Sequence, residues 1–251
     1  ADLSTLVAAY VCPDSAHYLD RELGRRLDLA LRFMLRRQNR DGTIDLEETN
    51  HNSSPDTGFV VQIVCPIYER LMEVGKPHAR GMAELAGRFI RKATRGMCRG
   101  GFHTPNHRWV IASALSHANA LFPSREAVQT VSDYLGEGID CNPDGQFTER
   151  STGIYNFVND RSLITMAEKL SRPDLLAPVR RNLDMMLHMM HGDGTLVTAF
   201  SGRQDRGAPV DEKGAPLFHP RPATWEAAQN DGQRWRWALA RAEELHPAAA
   251  N

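Results

Sequence analysis

Asn142-Pro143-Asp144-Gly145-Gln146-Phe147 closes an amphipathic run with an Asp-Gly turn and continues into a short extended piece. The same arrangement returns at Asn39-Arg40-Asp41-Gly42-Thr43-Ile44 and at His191-Gly192-Asp193-Gly194-Thr195-Leu196. A single Asp-Gly pair is simply a good turn, because aspartate bonds its own backbone and glycine accepts positive φ. Three in the same relation to a helix point to repeated helical hairpins that open toward one face. That repeat predicts an all-α fold, an incomplete (α/α) toroid with short β pieces after the Asp-Gly turns.

Outward from these turns, apolar residues recur at helical spacing. Leu19, Leu23, Leu27, Leu31 and Met34 predict a helix over residues 15–38. Similar patterns predict helices over 57–74, 79–97, 107–121, 125–137, 154–170, 173–190 and 225–245, punctuated by Pro77, Pro123, Pro173 and Pro222. Strand alternation is confined to short pieces at 43–46 and 195–200. Residues 201–222, rich in Gly, Pro, Asp and Arg, read as a long loop before the C-terminal helix, on which Trp225, Trp235 and Trp237 pack against the other helices. Residues 1–251 are expected to form one domain.

With 251 residues and 41% hydrophobic content, the chain can bury a sizeable core. Its 30 basic and 31 acidic residues are interspersed, which gives no field suited to nucleic acid or to an anionic membrane surface. No apolar run reaches the roughly 20 residues that span a bilayer. The first residues lack a signal peptide's basic start and apolar core, and with Ala1 in front a leader already removed stays open. Both a cytoplasmic and a periplasmic or secreted setting fit. Cys12, Cys65, Cys98 and Cys141 lie far apart, so neither a zinc ribbon nor a CxxC redox centre is expected.

Two segments concentrate chemistry. Gly100-Gly101-Phe102-His103-Thr104-Pro105-Asn106-His107-Arg108-Trp109 sets an amide, an imidazole, a guanidinium and an indole at a helix start. His107 falls in the first turn, where the positive end of the helix dipole favours a neutral imidazole that can accept a proton. Glu149-Arg150-Ser151-Thr152-Gly153-Ile154-Tyr155 delivers a phenol from another helix start, with Arg150 or Arg161 available to stabilise a phenolate. The plainer reading of the first segment is a polar helix start with Trp109 in the core.

Asn106-His107-x-Trp109 at a helix start, then Asp144-Gly145-x-Phe147 and Tyr155 on the next inner helix, resembles the α/α toroid of polysaccharide lyases of the heparinase II/III and alginate lyase kind. The resemblance runs over roughly residues 14–206. It implies β-elimination from a uronate-containing polysaccharide or oligosaccharide, with Asn106 and His107 on the substrate carboxylate and Tyr155 protonating the leaving glycosidic oxygen. It also implies a β-sandwich domain or a further copy completing the cleft. The residue types suit this chemistry by themselves. The C5 proton becomes acidic once the carboxylate is neutralised, by Asn106 with help from Arg108, Arg150 or a protonated His. The base is then His107 for anti geometry or deprotonated Tyr155 for syn. No cofactor or metal is required, and no HExxH, clustered Cys/His or Walker-type sequence is present.

Further substrate contacts are expected from Asn50, His51, His103, Arg108, Trp109 and Gln146, from Asn159 on the face of Tyr155, and from Arg203 and Arg206. His188 and His191, beside Met185, Met186, Met189 and Met190, read as core. Two other functions fit the same pattern. A glycoside hydrolase would need a carboxylate pair from Asp41, Asp144, Glu149 and Asp193, and a non-catalytic helical module would present the cleft for binding alone.

Overall fold

The computed structural model describes residues 3–46, 49–191 and 196–207. Among these residues the chain is mostly helical: α1 (Leu3–Val11), α2 (Arg21–Arg37), α3 (Ser54–Val74), α4 (Pro77–Arg99), α5 (Pro105–Leu121), α6 (Arg125–Gly136), α7 (Tyr155–Leu170) and α8 (Leu176–His188). A 3-10 turn at Pro173–Leu175 precedes α8, and two short strands, β1 (Ile44–Leu46) and β2 (Asn50–Ser53), pair antiparallel. No described helix is long and apolar enough to cross a membrane. The helix expected at 225–245, its tryptophans and most of the 201–222 loop lie outside the described residues.

Two compact units result, one holding the chain up to Phe102 together with Val110–Asp133, the other holding His103–Trp109 and the chain from Tyr134 onward. In the first unit α2 begins at Arg21 rather than near residue 15. Asp20 accepts the Leu23 N–H at 2.7 Å and caps it, and Leu19 stands outside the helix with φ 52°. Leu27 and Leu31 are fully buried on its inner face, while Glu22 pairs with Arg25 and Arg26, and Asp28 with Arg32, on the exposed one. α3 starts at Ser54, ahead of the expected 57. Ser53 accepts the Asp56 N–H, and Pro55 occupies the first turn, where its missing donor is harmless. Gly75, at φ 67°, ends the helix just before Pro77 opens α4. α3 and α4 then run against each other, with Val61, Val64, Leu71, Met82, Phe89 and Ile90 in the core.

The first Asp-Gly turn is seated directly on α4. Asn39 N–H bonds Thr43 O at 2.9 Å, Gly42 N–H bonds Asn39 O at 3.1 Å, and Asp41 Oδ1 accepts Thr43 N–H at 2.9 Å. Gln38 Nε2 donates to Gly42 O and to Phe89 O. Gly42 has φ 102°, and a β-carbon there would come within 2.0 Å of Lys92 O.

The second unit repeats this construction on α8. Asn142 N–H bonds Gln146 O, Gly145 N–H bonds Asn142 O, and Asn182 Nδ2 donates to Gly145 O at 2.7 Å. Gly145 has φ 90°, and a β-carbon would meet Arg181 O at 2.1 Å. An isolated bridge joins Cys141 and Phe147, and Phe147 is fully buried. Met190 and Leu196 form an isolated bridge in place of the strand expected at 195–200; residues 192–195, with the third Asp-Gly pair, lie outside the described ones.

Gly42→Ala and Gly145→Ala should each destabilise by about 3 kcal/mol or more, the sum of a main-chain overlap and a left-handed backbone penalty. Gly81→Ala, exposed on α4 with no atom within 4 Å of the new methyl, should instead gain about 0.5–1 kcal/mol. Urea unfolding midpoints of the three variants measure the contrast.

Candidate functional site

The second unit builds a connected polar site from the start of α5, the residues after the Asp144-Gly145 turn, the start of α7 and the segment 201–207. Pro105 opens α5, and Thr104, just before it, takes the His107 N–H on its carbonyl oxygen at 3.0 Å. The Thr104 hydroxyl donates to Asn106 Oδ1 at 2.5 Å, and the Asn106 backbone N–H donates to Glu149 Oε2 at 3.0 Å. Asn106 is fully buried, and its Nδ2 has no hydrogen-bond acceptor among the described residues. The His107 ring stands edge-on to the ring of exposed His103, with centroids 6.1 Å apart.

Glu149 is the junction. Its side chain is 1% exposed, and its second oxygen pairs with Arg203 Nη1. The Arg203 guanidinium lies over the Tyr155 ring, 4.7 Å from its centroid, and Gln204 Nε2 donates to the Tyr155 hydroxyl oxygen at 3.0 Å. A continuous line of contacts therefore runs from Asn106 through Glu149 and Arg203 to Tyr155. Tyr155 is half-buried rather than sealed in the core. Because Gln204 supplies a donor to the phenol oxygen, the phenol's own hydrogen remains for another acceptor.

Other expected site residues are committed elsewhere. Trp109 is fully buried, its Nε1 donating to Asp140 Oδ1 at 2.7 Å, so the plainer reading of this side chain as core is the observed one. Arg108 lies over Trp109 and bonds Glu137 at 2.7 Å, Gly138 O at 3.1 Å and Asp140 at 3.4 Å, which makes it structural rather than a substrate contact. Arg150 adopts φ 50° and is exposed; the cation on the phenol is Arg203. The backbone of Gln146 belongs to its turn, bonded to Asn142. Arg206 is exposed beside Arg203 in sequence. In the first unit, Asn50 Nδ2 donates to Asp56 at 3.3 Å, and exposed His51 stands 3.9 Å from Asp45. The Asn52 backbone N–H, followed by the Asn39 amide, holds the Asp45 carboxyl below the usual range. Asp41 of the Asp-Gly turn is occupied by Thr43 N–H and Oγ1, Asp144 is exposed, and Asp193 lies outside the described residues.

Glu149, weighed from sequence only as a hydrolase carboxylate, and Gln204 carry the connection that sequence reasoning missed. Their partners stand 43 to 54 residues away, and no periodicity links positions so separated. No signal in the sequence marks this connection.

The inner face of α7 is polar where helices are usually apolar. Asn156, Asn159 and Asp160 are all at most 1% exposed. Asn156 Nδ2 approaches Met186 Sδ at 3.1 Å, whereas both Asn159 amide atoms and both Asp160 oxygens lack hydrogen-bond partners among the described residues. Asn159, expected beside the substrate, is thus interior. Burial pushes the Asp160 carboxyl well above the usual carboxylate range. Among the described residues no group of His, Cys, Asp or Glu is arranged to hold a metal ion. Comparison with known protein families, with curated proteins and with solved structures yields no match to the chain.

The raised carboxyl has a definite sign. Folded chain keeps the Asp160 proton at pH values where unfolded chain, with a carboxyl titrating near about 4, has released it. Stability is therefore full below that value and is lost as pH rises through the folded pKa. Asp160→Asn should flatten this decline and make the variant more stable than the parent at neutral pH, as read by thermal melts across acid to neutral buffers. An unchanged pH slope would remove Asp160 as its source.

Proposed function

We propose that this chain is a polysaccharide lyase on an (α/α) toroid, cleaving a uronic-acid-containing polysaccharide or oligosaccharide by β-elimination to leave a 4,5-unsaturated uronate. The observation that carries the reading is the Asn106–Glu149–Arg203–Tyr155 line, which ties an accessible guanidinium and a phenol to the Asn-His helix start. The two like-built Asp-Gly turns support the toroid.

The reaction needs a neutralised carboxylate, a base for the C5 proton and an acid for the leaving oxygen. Arg203 bonds Glu149 through Nη1, and a guanidinium has five N–H donors, so others remain for the substrate carboxylate and for the enolate that forms from it. Asn106, fully buried, does not reach the carboxylate itself; its backbone N–H holds Glu149 in place beneath Arg203. His107 or deprotonated Tyr155 removes the proton, the C4–O bond breaks as the C4–C5 double bond forms, and the phenol proton passes to the departing alkoxide.

Incubation with alginate, glucuronan, heparan-type and ulvan-type polymers should generate the ultraviolet absorbance of the conjugated unsaturated uronate. Reducing ends without that absorbance would replace the reading with hydrolysis, and neither signal with retained binding would leave a binding module. Tyr155→Phe should lower kcat by about 10²–10⁴ with little change in KM. Arg203→Ala should cost about 10²–10³ in rate, as loss of a charge-stabilising donor does, whereas Asn106→Ala, which keeps the backbone N–H on Glu149, should cost less than about tenfold.

A further inference from the structure

The segment 201–207 does more than supply Arg203 and Gln204. It is strapped onto the turn before Tyr155 by Gly202 N–H on Arg150 O and by Thr152 N–H on Ser201 Oγ at 3.0 Å, while Thr152 Oγ1 donates to Val197 O, just ahead of the segment, at 2.8 Å. At its centre sits Asp205, 1% exposed. One of its oxygens, Oδ2, accepts from Gly153 N–H at 2.7 Å, from Ser151 Oγ at 2.9 Å and from Ser201 Oγ at 3.0 Å.

These bonds act on the start of α7. Ile154, at the N-cap position, gives the helix no side-chain cap. Ser151 takes over instead: its hydroxyl accepts the Tyr155 N–H at 3.1 Å, its carbonyl accepts the Asn156 N–H at 3.0 Å, and its hydroxyl proton is directed to Asp205. Asp205 thereby completes a two-step cap, with an acidic group at the positive end of the helix, where it is favoured. Gly153 passes close enough that a β-carbon there would meet Asp205 Oδ2 at 3.1 Å.

We infer that Asp205 is a positioning residue that fixes Tyr155 and the Arg203–Gln204 pair in one frame, so that the group holding the substrate carboxylate and the group donating the proton move together. The inference rests on the lyase reading for its catalytic consequence, while the capping role stands on the geometry alone. Loss of Asp205 lets the phenol shift relative to Arg203. A misplacement of about 1 Å in such a constellation is enough to cost about 10²-fold in rate.

The test compares Asp205→Ala with Asp205→Asn in the full chain, by polymer-lyase kinetics and by amide hydrogen exchange over residues 151–158. Asp205→Ala should lose about 10²-fold in kcat with KM changed by less than about threefold, and amides at the start of α7 should exchange about tenfold faster while those of 163–170 stay protected. Asp205→Asn keeps an acceptor oxygen and should recover most of both. Wild-type exchange and kcat in Asp205→Ala would overturn the inference, as would loss of protection along the whole of α7 with kcat falling only in step with folded fraction. Should Asp205→Ala not fold, Ser201→Ala is read by the same two outcomes. A parent protein inactive on every polymer removes the elimination reading, and the local exchange pattern then decides the positioning role by itself.

Discussion

Main-chain carbonyls of α4 and α8 each receive a glycine that has no β-carbon to keep it away. At Gly42 against Lys92 O, and at Gly145 against Arg181 O, the missing atom lets an Asp-Gly turn lie on the neighbouring helix, where an amide from Gln38 or Asn182 bonds the glycine carbonyl. Any larger residue would lift the turn by more than the tolerance of a close-packed interior. Each turn in this way sets the height of the residues after it. Two residues past Gly145 the Phe147 ring is fully buried, and two residues further Glu149 reaches Asn106 and Arg203. The site therefore depends on a backbone contact that contains no functional group.

Two arginines of the second unit illustrate how burial sorts like side chains into unlike uses. Arg108 has a side chain 10% exposed and is surrounded by Glu137, Asp140 and the Gly138 carbonyl. Arg203 is 28% exposed and, among the described residues, has one carboxylate partner. The first satisfies the general requirement that a buried charge be paired and hydrogen-bonded. The second retains donors toward solvent while Glu149, itself buried, is kept from being an uncompensated charge. Removing Arg203 thus strands Glu149, which makes kinetic losses interpretable only alongside a measure of folding.

The helices were legible because their apolar spacing is the direct imprint of a buried face, and the Asp-Gly turns because glycine is demanded by φ. Boundaries moved where caps decide them. Asp20 fixes the start of α2, and Ser53 that of α3, against a periodicity that ran on past the one and began after the other. α1 left no amphipathic trace, since Leu3–Val11 is apolar almost throughout. Trp109 and Arg108 were placed at the cleft because polar residues at a helix start look exposed; the indole N–H instead found Asp140, and the guanidinium covered the indole. The Glu149–Arg203 pair was hidden for a different reason. Tertiary electrostatics between loops has no period, and only coordinates bring such residues together.

α7 divides its labour along its length. Leu163, Ile164, Met166 and Ala167 bury an apolar second half against the interior, whereas Asn156, Asn159 and Asp160 bury polar groups in the first half. A buried polar group without a partner costs on the order of 1–3 kcal/mol, so that first half is stabilised less by its own packing. It is also the half that carries Tyr155 and has no side-chain cap at Ile154. A helix built this way is anchored at one end and must be held at the other by something outside itself. The strap through Ser151, Ser201 and Asp205 supplies that hold at the point where the phenol emerges. Replacing the polar face with leucines would tighten α7 and weaken its dependence on the strap, separating the stability of the helix from the placement of its tyrosine.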